Sequence, residues 1–464
     1  MDGNYLIDLG YKPGPHFPEM IALGSTLEEN EIPHAQIIEA LDEIYEEATF
    51  EEEKIPLQSG VPMTVYLDYP DEGFERDNYD ATVASMTEVI KTPTVRDSYI
   101  MPDACPAGPL GTIPVGGVVV AENAIHPGMH SADICCSMFL TSFKTDRPIK
   151  DIMDAVQKRS HFGYGGRKDE MNMGHGHAII ERAKNNRFLA NVRMFKAMSD
   201  HLGTQGDGNH FFYVGRKQSN GELTFVTHHG SRNPGAQLYK EGMKIAEGFR
   251  RELSPDTLKQ NAWIPFDTME GQEYWEALQI IREWTKHNHT VIQNAVMMEL
   301  GIYERDITDR FWNEHNFVFK RGDMFWHAKG STPVWGHHAH DADQYGRTII
   351  PLNMGEPILL VTNDENNPTG FAPHGAGRDM SRTAFKKKLG NKTVEQVMKE
   401  EVGHIDARFY TGDPDISELP SAYKNADEVR RQIQLYELAH IVDTIEPLGS
   451  MMAGEQDKPW LKKK

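Results

Sequence analysis

The segment Gly206-Asp207-Gly208-Asn209-His210-Phe211-Phe212-Tyr213-Val214 has the pattern of a glycine-rich turn that leads into a β-strand. A second segment, Phe225-Val226-Thr227-His228-His229-Gly230-Ser231-Arg232, has the reverse order, with a strand that ends in a Gly/Ser/Arg turn. Each segment places a histidine where a strand meets a loop, which is a rigid position for a metal ligand. The two segments therefore predict a sheet whose strand ends carry functional side chains.

Helical patterns surround these strands without a regular alternation of strand and helix. Helical patterns cover residues 34–53, 148–160, 178–202, 233–253, 273–300 and most of 394–446, and strand patterns cover residues 63–67, 348–354 and 357–361. Such an irregular order favours helices packed around one sheet core over a repeated βαβ unit. The sequence therefore predicts an α+β fold, a single large domain with a mixed or antiparallel sheet core and surrounding helices.

The composition is that of a soluble globular protein, with 464 residues of which 39% are hydrophobic and 25% are charged. No apolar run approaches the roughly 20 residues of a membrane span, and the N-terminal residues lack the basic and apolar regions of a signal peptide. We therefore expect a cytoplasmic protein with no membrane partner. Three cysteines, Cys105, Cys135 and Cys136, make a poor disulfide framework and are better explained as reduced thiols, some of them possible ligands.

The net charge of −21 argues against a broad basic surface for non-specific binding of nucleic acid. Any nucleic acid would need a local patch of cations. The candidates are Lys320 with Arg321, Lys386 to Lys388, and Lys462 to Lys464. The alternative for each is a solvated helix face or a solvated tail.

The stretch His374-Gly375-Ala376-Gly377-Arg378-Asp379-Met380-Ser381-Arg382 is typical of an anion site. Three small residues follow His374, so the backbone there can approach a ligand closely. Arg378 and Arg382 are four residues apart, which predicts a helix that begins at this turn and points its N–H groups and two guanidinium groups at a phosphate. An imidazole in such a site can attack phosphorus, coordinate a metal or bond to phosphate. The alternative is a glycine-rich helix entry with an ordinary surface histidine.

Five residues form a set with metal-binding chemistry, namely Asp133, Cys136, His210, His228 and His315. One carboxylate, one thiolate and three imidazoles suit Mn²⁺, Zn²⁺ or Co²⁺, and a thiolate sulfur can bridge two ions. A two-metal site with open positions is typical of phosphoryl chemistry. Taken alone, the Asp133 and Cys136 pair is more often structural. Other histidines have weaker signals, because His175, His177 and the 337–340 tract fit polar loops and His287 and His289 fit a helix surface.

Eight blocks in the same order give the chain a resemblance to the RtcB-type RNA ligases. The blocks are MPDACPAGPLGTIPVGG, SADICCSM, GTQGDGNHF, THHGSR, EHN, HAKGST, IPLNMG and HGAGRDMSR, which begin at residues 101, 131, 203, 227, 314, 327, 350 and 374. They are similar to the family's MPDVHxGxGxxIGG, GxDIxCGM, GTLGxGNHF, LHSGSR, HN, HRKGAT, IPGSMG and HGAGRxMSR. The resemblance covers about residues 99–449 and implies a catalytic domain over residues 91–464, with residues 1–90 as an N-terminal accessory region.

The resemblance implies an RNA ligase that joins an RNA 3′-phosphate, or a 2′,3′-cyclic phosphate, to a 5′-hydroxyl end. It implies that His374 accepts GMP from GTP, that Asp103 orients His374, and that the five metal-binding residues hold two Mn²⁺ ions with Cys136 as the bridge. The implied nucleotide and phosphate contacts are Asn209, Phe211, Asn316, Gly375, Ala376, Gly377, Arg232, Arg378 and Arg382. The expected partners are a nucleotide and the ends of broken or spliced RNA, such as tRNA. The sequence defines no activating protein.

Four positions depart from the family's pattern. Tyr213 replaces the glutamate that reads the guanine edge, Asn353 replaces a serine, Cys105 replaces a histidine, and a terminal lysine after the PLG sequence is absent. A tyrosine hydroxyl cannot accept two hydrogen bonds as a carboxylate does. Two other functions therefore remain open, a dinuclear-metal phosphoesterase that activates water and an RNA-end-binding protein without ligase activity.

Overall fold

The computed structural model describes residues 1–49, 54–167, 174–335, 341–380, 385, 387 and 392–456. The chain divides into two compact units, Met1–Ile55 and Pro56–Lys464. Residues 56–90 belong to the larger unit, and an accessory role for residues 1–90 stays a prediction. No helix among the described residues is both long enough and apolar enough to cross a bilayer.

The smaller unit consists of three helices, α1 (Gly3–Asp8), α2 (Phe17–Glu29) and α3 (His34–Thr49). The Asp2 carboxylate caps α1 by accepting a hydrogen bond from the Tyr5 backbone N–H at 2.9 Å. Leu6, Met20 and Leu41 are fully buried and form the centre of its apolar core. The helix predicted from residue 34 is confirmed as α3, although residues 50–53 lie outside the described part.

Two sheets form the core of the larger unit. The five-stranded sheet has the order β1-β2-β3-β11-β10, in which only the pairing of β1 with β2 is parallel. Its strands are β1 (Thr64–Val65), β2 (Val95–Cys105), β3 (Val115–Glu122), β10 (Asn316–Arg321) and β11 (Met324–Lys329). The eight-stranded sheet has the order β13-β14-β17-β6-β7-β5-β9, and β16 pairs in parallel with β17. Its strands are β5 (Ser137–Phe143), β6 (Phe211–Lys217), β7 (Leu223–His229), β9 (Ile307–Glu314), β13 (Thr348–Ile350), β14 (Ile358–Asn363), β16 (Asp406–Phe409) and β17 (Ala439–Met452).

Two short pairs of strands complete the described sheets. They are β4 (Ala124–Ile125) with β8 (Ile264–Pro265), and β12 (Ser331–Pro333) with β15 (Phe371–Pro373). The chain passes from the eight-stranded to the five-stranded sheet at His315, the single residue between β9 and β10. The functional residues described below lie where these two sheets meet.

Helices pack around the sheets, as the α+β prediction requires. In the larger unit they are α4 (Gly73–Val89), α5 (Ile149–Arg159), α6 (Gly176–Lys184), α7 (Val192–Asp200), α8 (Arg232–Leu253), α9 (Met269–Glu299), α10 (Val394–Val402) and α11 (Ala426–Leu435). The longest, α9, buries Leu278, Ile281 and Trp284 in the main core. The mostly antiparallel sheets and surrounding helices confirm the predicted fold class.

The predictions for residues 178–202 and 394–446 are wrong in part. Residues 178–202 form two helices, because Asn191 caps a new helix by accepting a hydrogen bond from the Met194 N–H at 2.8 Å. The predicted helical region 394–446 ends in the long strand β17. A bulge between Pro447 and Gly449 interrupts the alternation of buried and exposed side chains along β17, which removes the usual sequence signal of a strand.

Candidate active site

A cavity of about 240 Å³ lies where the two sheets meet. Its walls contain the predicted nucleophile His374 and four of the five predicted metal-binding residues, Asp133, Cys136, His228 and His315. His210, the residue before β6, contacts Asp133 and Cys136 but does not line the cavity. Residues from distant parts of the chain thus converge on one cavity.

The predicted metal-binding side chains form a continuous row of contacts. Asp133 Oδ2 lies 3.2 Å from His210 Nε2, which lies 3.5 Å from Cys136 Sγ. On the other side of the sulfur, His228 Nε2 is 3.1 Å from Cys136 Sγ and 3.2 Å from His315 Nε2. Cys136 therefore occupies the middle of the row, between two groups of donor atoms.

The tautomers of two histidines are set by backbone carbonyl groups. His210 Nδ1 is 2.8 Å from the Gln205 carbonyl oxygen, and His228 Nδ1 is 3.1 Å from that of Asn209. Because a carbonyl only accepts, each Nδ1 carries a proton, and in the neutral ring the lone pair lies on Nε2. The His210 lone pair points at a carboxylate oxygen of Asp133, which is an unfavourable arrangement that a cation would stabilise. The donor set therefore fits bound divalent cations.

Burial adjusts the protonation of the same residues. Burial lowers the pKa of His228 and of His315 well below the usual range, so both rings are neutral as metal ligands must be. Burial alone would raise the pKa of Asp133, whereas the hydrogen bond and charge of a protonated His210 would lower that pKa to about 2; a bound metal ion would supply the same positive charge beside a neutral ring. Burial raises the pKa of the Cys136 thiol well above its usual range, so formation of the thiolate requires a nearby cation.

The loop that carries Asp133 and Cys136 is tied to neighbouring segments through its backbone. The Cys135 N–H donates to the Asn316 carbonyl at 2.7 Å, and the His315 N–H donates to the Cys136 carbonyl at 2.9 Å. Cys135 adopts a φ of 58°, a left-handed conformation that sends the adjacent thiols in different directions. This turn places the Cys136 sulfur in the cavity, whereas Cys135 packs in the main apolar core.

Replacing Gly230 with alanine is expected to weaken the binding of a divalent cation at this site by about 10-fold. A Cβ at this position would lie 1.9 Å from Asp133 Oδ1, so the carboxylate must move away from His210. Calorimetric titration of the metal-free protein measures the change. Gly248→Ala is the control, because a Cβ there meets no atom within 4 Å. Unchanged affinity in Gly230→Ala would exclude Asp133 as a ligand.

A second layer of polar side chains supports the strands behind the metal-binding residues. His289 on α9 lies within hydrogen-bonding distance of Ser137 Oγ (3.1 Å) and Thr227 Oγ1 (2.8 Å), the residues next to Cys136 and His228. Its ring stacks on that of His229, with the ring centroids 3.5 Å apart. The prediction that His289 lies on the surface is therefore wrong. Its place in a four-residue repeat with the buried Ile281, Thr285 and Gln293 was a signal that could have placed it.

His374 follows strand β15 and is held by Asp103 at the end of β2. The two are joined by Nδ1 and Oδ2 at 2.6 Å, and the same Oδ2 accepts the backbone N–H groups of His374 (3.1 Å) and Gly375 (3.3 Å). Asp103 therefore keeps the proton on Nδ1 and leaves the Nε2 lone pair free when the ring is neutral. The centroids of the His374 and His315 rings are 4.8 Å apart, so a group bound at His374 Nε2 is next to the metal-binding row.

The turn after His374 differs from the prediction. Gly375, Ala376 and Gly377 line the cavity as expected, but Arg378 forms a β-bridge with Tyr423 and is not part of a helix. Its Nη2 lies 2.6 Å from Glu418 Oε1, and its Nη1 donates to the Ser417 carbonyl at 2.8 Å. Arg378 is thus a cation paired with a buried carboxylate at the cavity wall. Arg382 and residues 386 and 388 lie outside the described residues, as do His337, His338 and His340.

The other predicted nucleotide contacts are divided between the cavity and its surroundings. Asn209, Phe211, Asn316 and Asn353 line the cavity. Tyr213 does not, because it is buried and its hydroxyl donates to the Ile445 carbonyl at 2.8 Å. Arg232 also lies outside the lining, and its guanidinium donates to the Gly163 carbonyl at 2.8 Å.

Two charged residues of the cavity were missed by sequence reasoning. Lys329 lines the cavity, and burial lowers its pKa to about 8. Its position in the HAKGST block was the available signal. Glu418 is fully buried at the wall beside Arg378 and Tyr423, and no local pattern distinguishes it from an ordinary surface glutamate.

Comparisons with known proteins agree with this arrangement. Residues 85–453 match the family profile described as tRNA-splicing ligase RtcB. The tRNA-splicing ligase RtcB of Thermococcus kodakarensis is 25% identical over 475 residues, which cover 84% of this chain and 94% of that protein. The protein of the same name from Aeropyrum pernix is 25% identical over 467 residues, with the same coverage of 84% and 94%.

A third relative matches over a shorter segment. The tRNA-splicing ligase RtcB of Archaeoglobus fulgidus is 27% identical over 286 residues, which cover 53% of this chain and 58% of that protein. The family profile extends over most of the chain, and its limits enclose Asp103 and every residue that lines the cavity, from Cys105 to Met452. The chain therefore belongs to the tRNA-splicing ligase RtcB family.

Proposed function

We propose that this protein is a metal-dependent RNA ligase that joins an RNA 3′-phosphate, or a 2′,3′-cyclic phosphate, to a 5′-hydroxyl end. The reaction uses GTP and two Mn²⁺ ions and passes through a covalent nucleotide on His374. The observation that carries the proposal is the position of His374, whose Nδ1 is held by Asp103 and whose Nε2, beside the row of metal donors, has no hydrogen-bond partner among the described residues. A module that only binds RNA has no use for a nucleophile held in this way.

The residues of the site have distinct roles in this reaction. His374 Nε2 attacks the α-phosphorus of GTP, a P–N bond forms, and the bond to the pyrophosphate leaving group breaks. Asp103 stabilises the positive charge that develops on the imidazole. The 3′-phosphate oxygen of RNA then takes the GMP from His374, and attack by the 5′-hydroxyl releases GMP. A cyclic phosphate is first opened by water to give the 3′-phosphate. Bound Mn²⁺ ions would be held by Asp133, Cys136, His210, His228 and His315 and would neutralise phosphate charge.

One part of the cavity combines apolar and polar side chains that could contact the base of a bound nucleotide. Phe211, Met354 and Met452 form an apolar surface on which a base can rest. Asn353 and Glu418 provide polar groups in the same wall, whereas Tyr213 is turned away. We propose guanine as the preferred base, contacted by residues other than Tyr213.

Incubating the protein with Mn²⁺ and each of the four α-labelled nucleoside triphosphates is expected to give acid-labile, alkali-stable label on the protein, with GTP the best donor. The reason is that a phosphoramidate forms only if His374 attacks the α-phosphorus. Gel separation of protein from free nucleotide measures the label. Absence of label from all four nucleotides, with metal bound, would contradict the ligase proposal. Hydrolysis of a phosphoester by that unlabelled protein would identify a dinuclear phosphoesterase instead.

A further inference from the structure

Lys424 lies behind the pair formed by Asp103 and His374 and contacts both segments that carry it. Its Nζ donates to the carbonyl oxygens of Pro102 (3.0 Å) and Ala104 (2.7 Å), the residues on either side of Asp103. Its backbone N–H donates to the Gly377 carbonyl at 3.0 Å. One residue therefore connects the strand that carries Asp103 to the turn that follows His374.

The segments that Lys424 connects are in close contact. A Cβ on Gly377 would lie 2.0 Å from the Asp103 carbonyl oxygen, and Gly377 adopts a φ of 72°, so only glycine fits there without displacement. The β-bridge between Arg378 and Tyr423 runs beside this contact. Lys424 itself lies in a third segment, next to Tyr423, and its side chain reaches from there to the end of β2.

The charge of Lys424 also suits this position. Asp103 is fully buried, and its Oδ1 has no hydrogen-bond partner within the described part of the chain. A buried carboxylate needs an opposite charge nearby. Burial lowers the pKa of Lys424, while attraction to nearby acidic groups, Asp103 among them, opposes this change and favours its charged form.

We propose that Lys424 is a positioning residue of this site, which holds Asp103 so that His374 keeps its proton on Nδ1 and presents Nε2 to the cavity. The inference rests on the proposed function for the identity of the reaction. The placement of the imidazole, however, is measurable without any nucleotide. Two independent readouts can therefore test it.

The test uses Lys424→Met, which keeps the length of the side chain and removes its charge and donors, with Lys244→Met on the surface as the matched control. The first readout is the single-turnover rate of nucleotide transfer to the protein as a function of GTP concentration. The second is ¹⁵N-histidine NMR of the full chain without nucleotide, with the His374 resonance assigned by its loss in His374→Ala.

We expect Lys424→Met to lower the rate constant about 100-fold, because a shift of about 1 Å in a reacting group has an effect of that size. The half-saturating GTP concentration and Mn²⁺ affinity should stay within about threefold of the parent, and the His374 Nδ1–H resonance should move or broaden. Lys424→Arg, which keeps the charge but shifts the donors, should lose about 10-fold. If Lys424→Met does not fold, the same two readouts on Lys424→Arg test the proposal.

Several outcomes would decide the question. A parent-like rate and an unchanged His374 resonance in both variants would overturn the proposal. Equal losses of rate, GTP affinity and Mn²⁺ affinity would assign Lys424 a general structural role and would also overturn it. A parent protein that takes no label, together with a changed His374 resonance in Lys424→Met, would contradict the proposed ligase and support the positioning role.

Discussion

Replacing His374 with alanine is expected to abolish covalent labelling and to lower RNA ligation by at least about 10⁴-fold. Within the described cavity, His374 Nε2 is an imidazole nitrogen without a hydrogen-bond partner next to the metal-binding row, whereas the Nε2 atoms of the row's histidines contact one another, Asp133 or Cys136. Loss of the ring therefore removes the group to which the nucleotide bonds. Gel-based counting of labelled protein and of joined RNA measures both effects.

Two further variants test whether the loss of labelling is specific to His374 and to its partner Asp103. His440→Ala removes an exposed histidine, with a side chain 61% accessible, and should label like the parent. Asp103→Asn keeps the shape of the carboxylate but not its charge, and should reduce labelling by about 10²- to 10⁴-fold. If His374→Ala still accepted label at the parent's rate, another residue would be the nucleophile, and the assignment of His374 would be wrong.

Replacing Cys136 with alanine is expected to lower the affinity for Mn²⁺ by at least about 100-fold and to prevent the binding of two ions together. Cys136 Sγ lies 3.5 Å from His210 Nε2 and 3.1 Å from His228 Nε2, so it is the atom shared by the two halves of the row. The remaining donors then form separate groups with too few ligands each. Calorimetry measures the number of Mn²⁺ ions bound per chain. We expect labelling by GTP to be lost together with the binding of two ions.

The neighbouring thiol provides the control for this variant. Cys135 is buried like Cys136 but packs in the apolar core, so Cys135→Ala should keep two Mn²⁺ per chain. It should reduce stability by about 1 kcal/mol through lost packing. Binding of two ions by Cys136→Ala with parent-like affinity would show that the sulfur does not bridge them.

The sequence was informative wherever a functional residue stood at the junction of a strand and a glycine-rich turn. His210, His228 and His374 are each placed by such a local pattern, and the structure brings all three to one cavity region. The α+β class followed from the irregular order of helices and strands. These features depend on neighbours in the chain, which a single sequence displays.

Features that depend on distant pairing were not predictable in this way. β17 is a strand because β14 and β6 pair with it on its two sides, and its own bulge hides the alternation. Lys424 reaches Ala104 across 320 positions of sequence. Arg378 was assigned to a helix from its spacing to Arg382, but its bridge to Tyr423 determines its actual backbone. In each case the partner lies in another part of the chain, so no local pattern carries the information.

The position of β17 has a consequence for how the protein is made. This strand is the last in the described chain, yet it lies inside the eight-stranded sheet, where it joins β14 to β6, and its Met452 lines the cavity. During translation the sheet cannot close until residues 439–452 have left the ribosome. A nascent chain that has emerged only as far as β16 therefore lacks the strand that joins β14 to β6 and the part of the cavity wall that Met452 provides.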